Sequence, residues 1–239
     1  MRRKSFSESL WEMIFPSPRI CPLCEKKQSE LMICEECREK LASFYAEHLR
    51  CARCGTFGTD EEHCLNHQNW PPYLKNNKSL WPYEKEYRQV LLSFKFRAQP
   101  WLAQMLGSML ADLADKSGEI VIPVPISKER LAERGFNQSA LLAKEIAKNL
   151  NLPYADNVLV KIKNTPKQST LSREERRNNL NDALSIKHPE KIKGKKIILV
   201  DDICTTGATL AACAQIVHEY SGEDIFALTV CNGCLLYTP

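Results

Sequence analysis

The clearest change of hydrophobic pattern along the chain lies between residues 197 and 217. Four apolar residues in a row, Ile197 to Val200, predict a buried strand. Two acids, Asp201 and Asp202, follow at the point where this strand is expected to end. After a turn rich in threonine, apolar residues recur with helical spacing at Leu210, Ala211, Ala214 and Val217. The pattern therefore predicts a strand, a polar turn and a helix, in that order.

Similar patterns predict alternating helices and strands over the C-terminal two thirds of the chain. Helices are predicted from the apolar spacing at 87–94, at 101–113 and at 142–150. Strands are predicted at 120–125, 158–162, 183–186 and 225–230, and the last of these should close the sheet. Residues 66–79 are polar and predict a linker or exposed turn, followed by an edge strand at 80–83. This alternation is typical of an α/β domain.

The turn after the acids has the chemistry of an anion site. Free backbone N–H groups and the dipole at a helix N-terminus point into such a turn. The hydroxyls of Thr205, Thr206 and Thr209 add donors, and Gly207 lets a phosphate approach the backbone. The two acids would repel a phosphate, but they suit sugar hydroxyls or a divalent cation. An ordinary strand–turn–helix with a threonine cap is the alternative.

Seven of the eleven cysteines lie between residues 21 and 64, in an internal repeat with a period of thirty residues. In each repeat, two cysteines with two residues between them are followed, after nine further residues, by a second pair with the same spacing. In the second repeat, a histidine replaces the last cysteine. Such spacing is typical of structural zinc sites with four ligands. The predicted ligands are Cys21, Cys24, Cys34 and Cys37 for the first site, and Cys51, Cys54, Cys64 and His67 for the second.

Three alternatives apply to this cysteine-rich segment. Disulfides are disfavoured because the number of cysteines is odd and the spacing repeats. His63 could replace His67, although His67 keeps the spacing of the repeat. Spacing alone does not decide whether the ligands pair in tandem or are interleaved.

Positive charge is concentrated in one part of the chain, although the net charge is only +4. Residues 161–196 contain eleven lysines and arginines against four acids. Candidates for contacts with nucleic-acid phosphates are Lys167, Arg173, Arg176 and Arg177. Arg130 and Arg134 follow the predicted strand at 120–125 and are four residues apart, so they could face the same pyrophosphate or nucleic-acid phosphate. A solvated surface is the alternative for both groups.

The stretch from Ile197 to Thr209 resembles the phosphoribosyl-pyrophosphate loop of type I phosphoribosyltransferases, with its apolar run, acid pair, short spacer and Thr-Gly-Ala-Thr. The resemblance implies that Asp201 and Asp202, the catalytic candidates, hold the ribose hydroxyls, and that Mg²⁺ binds together with phosphoribosyl pyrophosphate. It implies that the 5′-phosphate binds at Thr205, Thr206, Gly207, Ala208 and Thr209. It also implies a mobile lid from about residue 164 to Ser172, followed by a short helix over 173–180.

Three further segments are similar to the pattern of the ComF competence-protein family. They are Pro123-Val124-Pro125, Arg130, and Arg134-Gly135-Phe136-Asn137-Gln138. Residues 95–97 and 168–179 match that pattern too, as does a cysteine-rich module before a transferase-like domain. The resemblance implies an α/β fold in which a type I phosphoribosyltransferase-like parallel sheet is flanked by helices, with a small N-terminal double zinc-knuckle or ribbon module.

The ComF resemblance implies a role in DNA uptake during natural transformation. Expected partners are phosphoribosyl pyrophosphate or a nucleotide, single-stranded DNA, and a helicase-like competence protein. An active phosphoribosyltransferase in nucleotide salvage and a nucleotide-sensing regulator remain alternatives, so whether the domain is an enzyme is left open. The sequence names no pocket for an acceptor base.

The expected organisation is an amphipathic segment at 1–18, a double zinc-binding module at 19–70 and a phosphoribosyltransferase-like domain at 71–239. Leu10, Trp11, Ile14 and Phe15 form the apolar stripe of the first segment, which polar residues interrupt too often for a signal peptide. No apolar run approaches the length of a membrane span. The expected location is the cytoplasm, without membrane insertion.

Overall fold

A computed structural model describes the chain at residues 21, 23, 24, 26, 34–37, 39, 40, 43, 48–67, 70–96, 101–162 and 183–233. The strands are β1 (Leu74–Pro82), β2 (Ile120–Pro123), β3 (Leu159–Lys161), β4 (Leu184–Ile186), β5 (Ile197–Cys204) and β6 (Ile225–Asn232). The α-helices are α1 (Lys85–Phe96), α2 (Trp101–Leu113), α3 (Lys128–Arg134), α4 (Gln138–Leu150) and α5 (Ala208–Ser221). A 3₁₀ turn lies at Pro189–Lys191.

The central sheet has four parallel strands in the order β1-β6-β5-β2. Strand β6 therefore lies inside the sheet and not at its edge, and it joins β1 to β5. Ser79 on β1 and Thr229 on β6 illustrate this pairing, because their hydroxyl oxygens are 2.7 Å apart across the two strands. The carboxyl ends of all four strands meet at one edge of the sheet, which is where ligands bind in open α/β sheets.

Two apolar cores cover the two faces of the sheet. Ile198 and Val200 of β5 face the core that contains α2 and α4, whereas Ile197 and Leu199 face the core that contains α5. Strand β5 is apolar on both faces, as the continuous apolar run predicts. The prediction of a flanked parallel sheet is confirmed.

Strand β1 corrects the prediction of a linker at 66–79, which is wrong from Leu74 onward. The polar side chains that suggested a linker are buried in the sheet. Asn77 and Ser79 are 1% and 2% exposed, and both are hydrogen-bonded to Thr229. Strand β1 does lie at an edge, as expected for 80–83.

Two other strands end later than predicted. Strand β5 continues through both acids to Cys204, so the acids belong to the strand and the turn begins after them. Strand β6 continues through Cys231 to Asn232, two residues beyond the predicted end.

Strands β3 and β4 confirm the predicted strands at 158–162 and 183–186, but they pair antiparallel with each other outside the central sheet. The segment between them, with the predicted lid and the helix at 173–180, lies outside the described residues, as does the predicted amphipathic segment at 1–18. In the described part of the chain, every helix is too short or too polar to span a membrane.

Candidate functional site

The acid pair lies at the carboxyl end of β5, at the centre of the sheet edge. Asp202 is 8% exposed and Asp201 is half-buried. The hydroxyl of Ser139, near the start of α4, donates to Asp201 Oδ1 over 2.8 Å, and the backbone N–H of Asp202 donates to the same oxygen over 2.9 Å. Both donors hold the Asp201 carboxyl group in one orientation.

Burial, and secondly the charge of Asp202, raise the pKa of Asp201 to about 7. Lys95, in the last turn of α1, offsets part of this effect. Its Nζ lies 3.0 Å from Asp202 Oδ2, in an ion pair whose side chains are only 15% and 11% exposed. Two carboxylates, one ammonium group and one hydroxyl therefore form a single buried cluster.

The predicted phosphate loop follows this cluster directly. Thr205, Thr206 and Thr209 are exposed, so their hydroxyls are accessible. Gly207 precedes α5 with a φ of 73°, a left-handed conformation that favours glycine. The hydroxyl of Thr206 accepts weakly, over 3.4 Å, from the backbone N–H of Ala208. The loop thus has the free donors and the helix N-terminus that an anion site requires.

The two predicted arginines differ in their surroundings. Arg130 is exposed on α3, which begins after the cap residue Ser127 and was not predicted as a helix. Arg134 is half-buried, and its guanidinium donates to Gln138 Oε1 over 3.2 Å. The amide of Gln138 in turn donates to the backbone oxygen of Lys95 over 3.4 Å. Arg134 is therefore connected to the acid cluster through Gln138.

The eight predicted metal ligands come together as two separate groups of four in tandem. In each group the potential ligand atoms lie within 4.8 Å of one another. The sulfurs of Cys24 and Cys34 are 3.6 Å apart and those of Cys54 and Cys64 are 3.4 Å apart, too far for a disulfide of about 2.05 Å. Three or four thiolates around one point are the donor set of a structural zinc site, so the residues fit this ion.

The second of these groups contains His67 and not His63. Nδ1 of His67 is 3.2 Å from the sulfur of Cys51. His63 instead contacts Asp60 over 2.8 Å on an exposed surface. The spacing of the repeat therefore selects the histidine that lies beside the three cysteines.

The two groups pack into different cores. Cys21 and Cys37 belong to the core on the α2 and α4 face, and Cys51 and Cys54 to the core on the α5 face. The second group is also hydrogen-bonded to the sheet, because the backbone oxygen of Cys54 accepts from the amides of Asn77 and Asn232 over 3.1 and 2.8 Å.

Comparison with known proteins agrees with both parts of the chain. Residues 137–234 match the phosphoribosyl transferase domain, and residues 10–67 match the double zinc ribbon domain. Competence protein F of Haemophilus influenzae is 28% identical, over 86% of this chain and 87% of its own. Competence protein ComFC of Bacillus subtilis is 29% identical, over 84% of this chain and 89% of its own. DNA utilization protein YhgH of Escherichia coli O157:H7 is 26% identical, over 89% and 90%.

Over most of its length, the chain is similar to ComF-type competence proteins. As the resemblance drawn from its motifs implies, the protein combines a double zinc ribbon with a type I phosphoribosyltransferase-like sheet. The match to the transferase domain includes the acid pair and the threonine loop. The basic candidates Lys167, Arg173, Arg176 and Arg177 lie outside the described residues.

Sequence reasoning missed three residues at this site. Lys95 lies in a segment that matches the family pattern, so a signal for it existed. Ser139 directly follows the matched segment ending at Gln138, and only the fold shows that it reaches Asp201. Trp70, which packs against Gly207, lies in the segment predicted as a linker and gave no signal.

Proposed function

We propose that the protein binds the ribose 5-phosphate part of phosphoribosyl pyrophosphate, or of a nucleotide, at the carboxyl end of β5. The observation that carries the proposal is the direct succession of a buried acid pair and an exposed threonine loop at the start of α5. The loop offers hydroxyl and backbone donors to a phosphate, and the acids offer acceptors to ribose hydroxyls or to Mg²⁺.

Two neighbouring side chains support this use of the acid pair. Ser139 orients Asp201, whose free oxygen is left to accept from a ligand. Lys95 neutralises Asp202, so the pair can stay buried before a ligand arrives. Arg134, linked to Lys95 through Gln138, and the exposed Arg130 are candidates for the pyrophosphate group.

The test is a calorimetric titration in which phosphoribosyl pyrophosphate is added to the protein in the presence of Mg²⁺. Replacing both acids, Asp201→Asn and Asp202→Asn, should abolish binding, because the amides are weaker acceptors and cannot hold a cation. The control is Asp112→Asn, an exposed acid on α2, which should bind like the wild type. Equal affinity of the acid-pair variant and the wild type would show that the loop is only structural.

The same proposal includes two structural zinc ions, held by the two groups of four ligands. When bound, each ion cross-links its four ligands and supplies folding free energy to a segment with little core of its own. Metal analysis of protein purified without chelator should find about two zinc ions per chain. One ion or none would contradict the paired sites.

For the biological role we propose the handling of incoming single-stranded DNA in the cytoplasm, in contact with a helicase-like competence protein. The relatives named above support a role in DNA uptake. The sugar-phosphate site and the basic stretch at 161–196 provide the chemistry for nucleic-acid contacts.

An active phosphoribosyltransferase is the second candidate, because the match to the transferase domain includes both acids and the loop. In that reaction pyrophosphate leaves ribose C1 and an acceptor takes its place, while the loop and the acids keep the sugar in position. Pyrophosphate release, measured with a panel of acceptor bases, separates this candidate from a module that only binds.

A further inference from the structure

Trp70 connects the second group of metal ligands to the phosphate loop. Its backbone N–H donates to the backbone oxygen of His67 over 2.9 Å, so its position follows that of the histidine ligand. Its indole is 8% exposed and belongs to the same apolar core as Cys51, Cys204 and Leu210. One side chain thus lies between a metal ligand and the turn that joins β5 to α5.

The contact with Gly207 is unusually close. A Cβ atom on Gly207 would collide with Trp70 Nε1 and would lie 2.7 Å from Cε2, so the indole lies directly against the glycine backbone. Gly207 is therefore required both by its φ of 73° and by the indole above it. Any movement of the indole changes the space available to the loop.

The indole N–H of Trp70 is buried and has no hydrogen-bond partner among the described residues. A buried donor without a partner is unfavourable, and such groups in a folded protein call for an explanation. Here the donor lies beside the turn whose N–H groups face the proposed phosphate. An approaching anion would attract this donor as well as the loop donors.

We propose that Trp70 is a positioning residue through which the second group of metal ligands sets the conformation of the loop from Thr205 to Thr209. The inference rests on the proposed sugar-phosphate function of that loop. Loss of the metal releases His67, Trp70 loses the position fixed by its hydrogen bond to that residue, and Gly207 loses the side chain that packs against it. Sugar-phosphate affinity then depends on zinc at a site that does not touch the sugar phosphate.

The first group of ligands offers a matched control, because Cys21 and Cys37 pack into the opposite core. A second control is Trp81, which is also fully buried and whose Nε1 also has no partner in the described part of the chain. Trp81 stacks on Tyr87 and belongs to that opposite core. Substitutions there disturb zinc or an indole without disturbing the loop.

The experiment is a double-mutant cycle on the full-length protein with Cys51→Ser and Trp70→Phe. Each should weaken binding of Mg²⁺-phosphoribosyl pyrophosphate about 2- to 30-fold. The affinity of the double variant should equal that of the single variant with the lower affinity, because both changes interrupt the same connection. Cys21→Ser and Trp81→Phe should bind like the wild type. Circular dichroism establishes that each variant is folded, and zinc content shows which of the two metal sites each cysteine substitution has emptied.

Three results would overturn the inference. The first is wild-type affinity in Trp70→Phe, and the second is a fully additive cycle. The third is an equal loss of affinity in Cys21→Ser. Failure of the proposed function looks different, because the wild type itself would then bind no phosphoribosyl pyrophosphate, and both proposals would fall together.

A fluorescence measurement tests the positioning role of Trp70 without requiring a measured binding affinity. The difference in fluorescence between the wild type and Trp70→Phe isolates the Trp70 indole. That difference should change when phosphoribosyl pyrophosphate is added, since the indole packs on the loop that binds it. A difference spectrum that is unchanged at saturating ligand would contradict a positioning role.

Discussion

Asp201 is a carboxyl group in a place that disfavours its charge. Burial and the neighbouring Asp202 raise its pKa to about 7, well above that of an unfolded aspartate. The folded state therefore holds this proton more tightly than the unfolded state does. As a result, the free energy of unfolding decreases as the pH rises from about 4 to about 7.

Asp201→Asn should consequently stabilise the ligand-free protein at pH 8 and have little effect at pH 5, where the wild-type carboxyl group is protonated. The amide has the same shape and still accepts from Ser139. Thermal melting at the two pH values measures the effect. A variant that is destabilised at pH 8 would show that the charge of Asp201 is well compensated.

Lys95 is the counter-charge that makes the buried acid pair tolerable. Lys95→Met should lower the free energy of unfolding at pH 7 by about 3–5 kcal/mol, because Asp202 then remains buried without its partner. Lys144→Met, at an exposed position of α4, is the matched control and should have almost no effect. Urea unfolding measures the stability of both variants. Equal stability of the two would show that Lys95 does not compensate the buried charge of Asp202.

At the scale of elements, β1 shows where sequence reasoning fails. A strand was not recognised from Leu74 to Ser79 because its buried positions include Asn77 and Ser79, whose polarity hides the alternating pattern. Their hydrogen bonds are made to Thr229 and Cys54, far away in the sequence, so no local signal exists. That these polar side chains are buried can therefore be recognised only from the three-dimensional structure.

Other elements were predictable because their signals are local. The strand, turn and helix of the proposed phosphate loop are predicted from thirteen consecutive residues, Ile197 to Thr209. The grouping of the cysteines and His67 is predicted from a repeat that brings each pair together within one turn. The helices at 87–94 and 101–113 follow from apolar spacing alone. Ser139 and Trp70 approach the site only through tertiary packing, which explains why neither is among the predicted site residues.

Asn77→Ala tests the polar contact between β1 and the second metal group. The substitution removes donors to Cys54 and Ser79 and an acceptor for Thr229. Cys54, Ser79 and Thr229 each lose one of their buried hydrogen bonds, so unfolding should become easier by about 1–3 kcal/mol. Asn76→Ala, the less buried neighbour, is the control. Urea unfolding with zinc present should separate the two variants, and equal stability would contradict the contact.

At the scale of the whole molecule, the basic stretch makes DNA binding testable through its dependence on salt. Affinity for single-stranded DNA should fall with salt at a slope of about −0.7 per phosphate contacted. Arg173→Glu with Arg176→Glu should weaken binding to all sequences alike, since phosphates carry no sequence information. Lys116→Glu with Lys144→Glu makes the same change of charge at two exposed positions outside the basic stretch and should have a smaller effect.

The outcome of that titration distinguishes the classes of function. Affinity no higher than for an uncharged polymer at low salt would remove the DNA-binding role and favour the enzyme. Tight binding of DNA without pyrophosphate release on any acceptor would instead indicate a transferase fold used for nucleic acid.

The position of β6 inside the sheet has a consequence for synthesis on the ribosome. Ser79 and Thr229 are partners 150 residues apart, so β1 leaves the ribosome long before the strand it pairs with exists. Closing so long a loop is slow, and an unpaired apolar strand would be prone to aggregate meanwhile. The five polar residues from Lys75 to Ser79 keep the first part of this waiting strand hydrated. The polarity that conceals β1 in the sequence thereby protects the nascent chain.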